Sequence, residues 1–76
     1  MPHVVVKLWP GPTEPQKAEL AQALAEALKK TIGSSDKSIS VAIEEVAPAE
    51  WMKAVYEPEI APRMAALYKK PGYEPF

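Results

Sequence analysis

A chain of 76 residues with 47% apolar residues, nine prolines and no cysteine is expected to form one domain, 1–76, without disulfides. A zinc site is also disfavoured, because His3 is the sole histidine. Nine Lys and Arg against ten Asp and Glu leave no basic footprint for nucleic acid, and the longest β-branched run, Val4-Val5-Val6, is far too short for a signal sequence or membrane span. A chain of this size buries only about 60% of its unfolded surface, so homo-oligomerisation is the remaining supplement to its core. A cytoplasmic location is the default expectation.

His3 to Leu8 carries the β-branched run and stops at Pro10-Gly11-Pro12, which predicts a first strand closed by a turn. Thr13 and Gln16 stand three apart with Pro15 between them, the pattern of an N-cap, its reciprocal capping partner and an early proline. The helix that begins there carries Leu20, Leu24 and Leu28 on one stripe, with Ala21, Ala27 and Ile32 beside them, and Gly33 predicts its end. After the polar link Ser34–Ser38, Ile39 to Val46 reads as a second strand. Ile39, Val41 and Ile43 fall on one face, and Ser40, Ala42 and Glu44 on a wet face.

Trp51 to Tyr56 reads as a short helical turn. A second short helix is predicted from about Glu59 to Lys70, with Ile60, Met64, Leu67 and Tyr68 sharing a face and Lys69 and Lys70 in its last turn. The tail Gly72–Phe76 holds two aromatics, which suits packing on a partner chain.

Strand, long helix and strand predict a parallel pair joined by a right-handed crossover. The fold class is therefore α/β (α+β, two layers): a βαβ protomer with a second short helix and a sheet completed by oligomerisation. Two copies pairing edge to edge would give four strands with helices on one side.

Most catalytic templates are missing: there is no glycine-rich phosphate loop, no HExxH and no cysteine pair. Glu44 and Glu45 are adjacent on a strand and point to opposite faces, which suits a solvated strand end better than joint acid and base work. Pro2 is different. Once Met1 is removed, Pro2 starts the chain with a secondary amine at the head of a strand, and an apolar pocket would bring such an amine toward neutrality. A base poised near the working pH is what proton shuttling needs.

The run MPHVVVKLWPGPTEPQKAELAQALAEAL, the strand SISVAIEEV and then Trp51 resemble the 4-oxalocrotonate tautomerase family of the tautomerase superfamily in order and spacing. The tail EIAPRMAALYKKPGY looks like that of its short bacterial subgroup, which assembles as dimers where other members form hexamers. The resemblance implies a keto-enol tautomerase for small 2-oxo or 2-hydroxy-enol acids, such as 2-hydroxydienoates or arylenolpyruvates. It implies that Pro2 is the general base, and that neither metal nor organic cofactor takes part. Trp51 matches an aromatic pocket-wall position, where it would exclude water, although an interface or core anchor fits it equally.

Two departures bear on substrate. The positions at which better-studied members carry substrate-binding arginines are Pro12 and Ser40 here, which favours a monoacid with an aromatic or apolar tail over a dicarboxylate. Ser40 is a candidate hydrogen-bonding contact. Arg63, the one arginine, and Lys37 are further cations in reach of consideration, with surface charge as their simpler role. His3 should point away from the amine and stays outside the catalytic set. The alternatives are a non-catalytic dimeric scaffold or interaction subunit with this fold, and a hydratase or decarboxylase of unsaturated acids using the same proline.

Overall fold

A computed structural model describes the whole chain, Met1–Phe76, and divides it into two compact units, Met1–Glu45 and Val46–Phe76. In the first, β1 (His3–Leu8) leads to α1 (Glu14–Ile32), and β2 (Ser40–Glu45) follows a 3₁₀ turn at Asp36–Ser38. Val4 to Val6 favour extended backbone, and the strand ends where Pro10 and Pro12 withhold two backbone donors. Gly11 between them has φ +149°, a value that side chains rarely permit.

Both ends of α1 are written locally. The Thr13 hydroxyl accepts from the Gln16 N–H at 3.2 Å, and the Thr13 N–H donates to Gln16 Oε1 at 2.8 Å, so the expected capping box is present. At the other end Gly33 adopts a left-handed conformation (φ 69°, ψ 24°). Its N–H returns to the Lys29 carbonyl at 3.2 Å. The stripe Leu20, Ala21, Leu24, Ala25 and Leu28 is half-buried, whereas Ala27 and Ile32, expected beside it, are exposed, Ile32 at 66%. Ile32 is the last residue of the helix, and Ala27 falls outside the stripe that Leu24 and Leu28 define.

β1 and β2 pair in parallel in the register His3↔Ser40, Val4↔Val41, Val5↔Ala42, Val6↔Ile43, Lys7↔Glu44 and Leu8↔Glu45. The second strand thus opens at Ser40 instead of Ile39 and closes at Glu45 instead of Val46. α1 packs on β2, and Lys17 of the helix bonds Glu45 at 2.7 Å. Strand alternation then places Val4, Val6, Leu8, Val41 and Ile43 on the helix side. His3, Val5, Lys7, Ser40, Ala42 and Glu44 line the opposite, open face, where Val5 is 43% exposed. The sheet has two strands, and neither outer edge has a partner within the chain.

Two lysines clamp the helix. Lys17 joins Glu14 (2.8 Å) and Glu45, and Lys29 joins Glu26 (3.2 Å) and Asp36 (2.7 Å). Both ammonium groups are held above the ordinary lysine value, Lys17 first by its hydrogen bond to Glu14 and then by that to Glu45. For Lys29 the bond to Asp36 leads and that to Glu26 follows.

The second unit corrects the expected helix at Glu59–Lys70. The chain already coils from a 3₁₀ turn at Pro48–Glu50, continues as a wide π-helix over Met52–Ile60, tightens to 3₁₀ over Ala61–Ala66 and stops there. Pro58 has no N–H to give the Ala54 carbonyl, and its ring would press on that same group in an α-turn. The wider winding avoids the clash, and the Ala61 N–H reaches back five residues to the Tyr56 carbonyl. Pro62 deletes the next donor, and Arg63 kinks the tighter turn that follows (φ −116°, ψ 17°). Lys69 and Lys70 consequently lie beyond the helix, with no dipole to oppose. Ile60, Met64 and Leu67 are half-buried, but Tyr68 is fully exposed and does not share their face. Val55 (5% exposed) and Tyr56 (9%) are the two buried side chains of the chain.

Candidate functional site

The head of the sheet gathers two of the three expected site residues. Pro2 immediately precedes β1 and is half-buried. Its carbonyl accepts the Ser40 N–H at 3.2 Å, one step beyond the regular ladder. Because His3 and Ser40 are opposite one another in a parallel pair, their side chains leave the same face, and His3 Nδ1 lies 2.6 Å from Ser40 Oγ. The direction of that hydrogen bond follows the imidazole tautomer. Ser40 therefore binds Pro2 through its backbone and His3 through its hydroxyl. With Met1 attached, the Pro2 nitrogen is a tertiary amide and cannot accept a proton; freed, it is a secondary amine anchored by its own carbonyl at the strand head.

Trp51 stands in the second unit, at the start of the π-helix. Its indole N–H donates to the Tyr73 hydroxyl at 2.9 Å. Tyr73 also packs at 5.9 Å from the buried Tyr56 and 6.0 Å from Phe76, ring centre to ring centre. The tail expected to seek a partner chain folds back on its own unit. The Tyr73 hydroxyl holds the Trp51 ring at one edge, and Tyr73 is itself held by its ring contacts.

The remaining candidates separate. Pro12 sits exposed in the turn between β1 and α1, and Ser40 is uncharged, so neither matched position supplies a guanidinium. Lys37 is exposed in the 3₁₀ turn before β2, and Arg63 is exposed at the kink of the second unit. Glu45 is held by Lys17 on the helix side, which separates it from Glu44 on the open face.

Sequence reasoning passed over two contacts. His3 was set aside as pointing away from the amine, and no partner was sought for it. The parallel register puts Ser40, 37 residues further on, opposite it. Tyr73 had a signal, two aromatics in a five-residue tail, but its partner Trp51 lies 22 residues away, beyond any local pattern.

A short parallel βαβ unit, with a proline at the head of its first strand and an uncharged contact opposite, defines a small two-layer fold whose polar groups converge at one end of the sheet. Comparison with known proteins gives this class its family. The Tautomerase family, described as "Tautomerase enzyme", matches residues 2–56. Tautomerase PptA of Pectobacterium carotovorum subsp. carotovorum (strain PC1) is 49% identical over 74 residues, covering 96% of this chain and 97% of its own. Among solved structures, YwhB, a homologue of 4-oxalocrotonate tautomerase, is 43% identical with a TM-score of 0.59, covering 60% of this chain and 75% of that one. TomN, a 4-oxalocrotonate tautomerase homologue in the tomaymycin biosynthetic pathway, is 31% identical with a TM-score of 0.64, covering 86% of this chain and 97% of that one. The chain belongs to the 4-oxalocrotonate tautomerase family of the tautomerase superfamily.

Proposed function

We propose that this tautomerase interconverts the enol and keto forms of small 2-oxo acids that bear one carboxylate and an aromatic or apolar tail, with Pro2 as general base after loss of Met1. The observation that carries the reading is the family match beginning at residue 2, the proline that heads β1. The Pro2 amine takes the proton from the enol oxygen. The resulting ammonium returns it to the carbon at the far end of the enol double bond, so one O–H bond breaks, one C–H bond forms and the base is restored. Such a step needs neither metal nor organic cofactor. Trp51, which the resemblance matches to an aromatic pocket-wall position of the family, has its ring held by the hydrogen bond to Tyr73.

The substrate class follows from charge. Neither Pro12 nor Ser40 can form the bidentate contact that a second carboxylate would demand, and leaving such a group unpaired costs several kcal/mol, of the order measured for charged hydrogen bonds. Arylenolpyruvates meet the requirement. The two open sheet edges support a homo-oligomer, with the dimer favoured over the hexamer and the cytoplasm as its place of action.

The first prediction is a rate. Phenylenolpyruvate should lose its enol absorbance quickly with protein whose Met1 loss is verified by intact mass, and about 10²–10⁴-fold more slowly with Pro2→Ala. Equal rates for the two proteins would overturn the assignment and favour the scaffold reading, for which the missing arginines are the supporting observation.

A further inference from the structure

The general-base reading makes no use of the side-chain pair that opens the free face of the sheet. His3 and Ser40 are both exposed there, 2.6 Å apart between Nδ1 and Oγ, and the Ser40 backbone is bonded to the Pro2 carbonyl. Their next neighbours on the same face, Val5 and Ala42, carry no charge. The first charged pair along the strands is Lys7 opposite Glu44.

A serine hydroxyl has one proton and two lone pairs, so the partner that takes one role decides what is left for a ligand. If the imidazole accepted the hydroxyl proton, Ser40 would present only lone pairs and would repel an anionic oxygen. If Nδ1–H donates into the hydroxyl, the Ser40 proton is free to turn outward, and accepting a hydrogen bond makes the hydroxyl a stronger donor. An anionic ligand oxygen selects this second arrangement: Nδ1–H to Oγ, then Oγ–H to the ligand.

We propose that His3 is a positioning residue that orients Ser40 as a single-point donor for the lone carboxylate of the substrate. The proposal rests on the placement of the substrate at Pro2, and it deepens that reading by naming the group that receives the carboxylate. His3 does not touch the substrate. It sets the direction of the hydroxyl that does, and the uncharged surroundings leave the tail of the ligand on neutral ground.

The test is equilibrium binding of 3-phenylpropanoate, an unreactive monoacid, followed by NMR titration of the processed protein and its variants; it requires no turnover. His3→Leu and Ser40→Ala should each raise the Kd about tenfold, as expected for one hydrogen bond to a charged group. The double variant should be no worse than either alone, because both remove the same contact. His3→Asn should recover most of the affinity, since its side-chain amide can donate from nearly the position of Nδ1. Wild-type affinity in His3→Leu, additive losses in the double variant, or no recovery in His3→Asn would each overturn the proposal, with circular dichroism confirming that each variant is folded. Pro2→Ala tested in parallel keeps the two readings apart. Its phenylenolpyruvate rate judges the base, whereas the His3 and Ser40 affinities judge the dyad.

Discussion

The two units of this chain invert a common expectation about order and burial. Met1–Glu45 holds the regular elements, with a capped helix and a paired sheet, and has no fully buried side chain. Val46–Phe76 holds five prolines and is wound irregularly, yet it contains both buried residues, Val55 and Tyr56, and a run of contacts linking Trp51, Tyr73, Tyr56 and Phe76. Regularity and burial have separate causes. Caps and β-branched runs act on the backbone within a few residues, whereas burial depends on large side chains meeting across long stretches of chain.

The sharpest way to break this contrast is to truncate one anchor in each unit. Tyr56→Ala should lower stability by about 3 kcal/mol, the low end for deleting a buried aromatic. Leu24→Ala, at a half-buried helix position, should cost about half as much because less apolar area is lost. Urea unfolding at one fixed protein concentration measures both. Equal losses would mean that Leu24 is covered in solution as fully as Tyr56, and the contrast would vanish.

A smaller effect tests whether the first unit depends on its local signals. Thr13→Ala removes the hydroxyl that accepts the Gln16 N–H and should cost about 1 kcal/mol, with the loss visible in helical circular dichroism as well as in the unfolding midpoint. No change would mean that packing on β2 holds the helix start unaided.

The smallest expected effect is electrostatic and has a defined sign. The Lys17 ammonium is raised above the ordinary lysine value, by Glu14 and then by Glu45, so its contribution is fully present below the unfolded value of about 10.5. That contribution fades as pH rises through the higher folded value. Alkaline titration of stability should therefore show a shallow decline above the unfolded value that Lys17→Met removes and that added salt diminishes. A decline of equal size in Lys17→Met would assign it to other groups.

The same division governs what was legible beforehand. The bounds of β1, the Thr13–Gln16 capping box and the Gly33 stop could be read directly, because each signal lies within four residues of what it controls. The second unit resisted. A helix was expected from about Glu59 to Lys70, but a proline such as Pro58 or Pro62 says only that an α-turn is obstructed. It does not say whether the chain breaks or rewinds, and here it rewinds with a five-residue return from Ala61 to Tyr56. At the candidate site, the resemblance to the family singled out Pro2 and Ser40 as candidates. The contacts of Ser40 with Pro2 and His3 were not legible, because they depend on a pairing register set across 37 residues of chain.

The two lysine clamps on α1 also bear on the order in which the first unit assembles. β1 and β2 must find one another across 37 residues, the separation of His3 and Ser40, and parallel pairing at that distance is intrinsically slow. A helix with both caps encoded locally can form in about a microsecond or less. Once it has, Lys29 draws the turn at Asp36 against its last residues, and Lys17 offers a cation for Glu45 at the far end of the incoming strand. The search for strand register is then conducted by a short tethered segment instead of a free chain. The ion pairs, weak as static supports, act as guides to which end of β2 belongs beside the start of the helix.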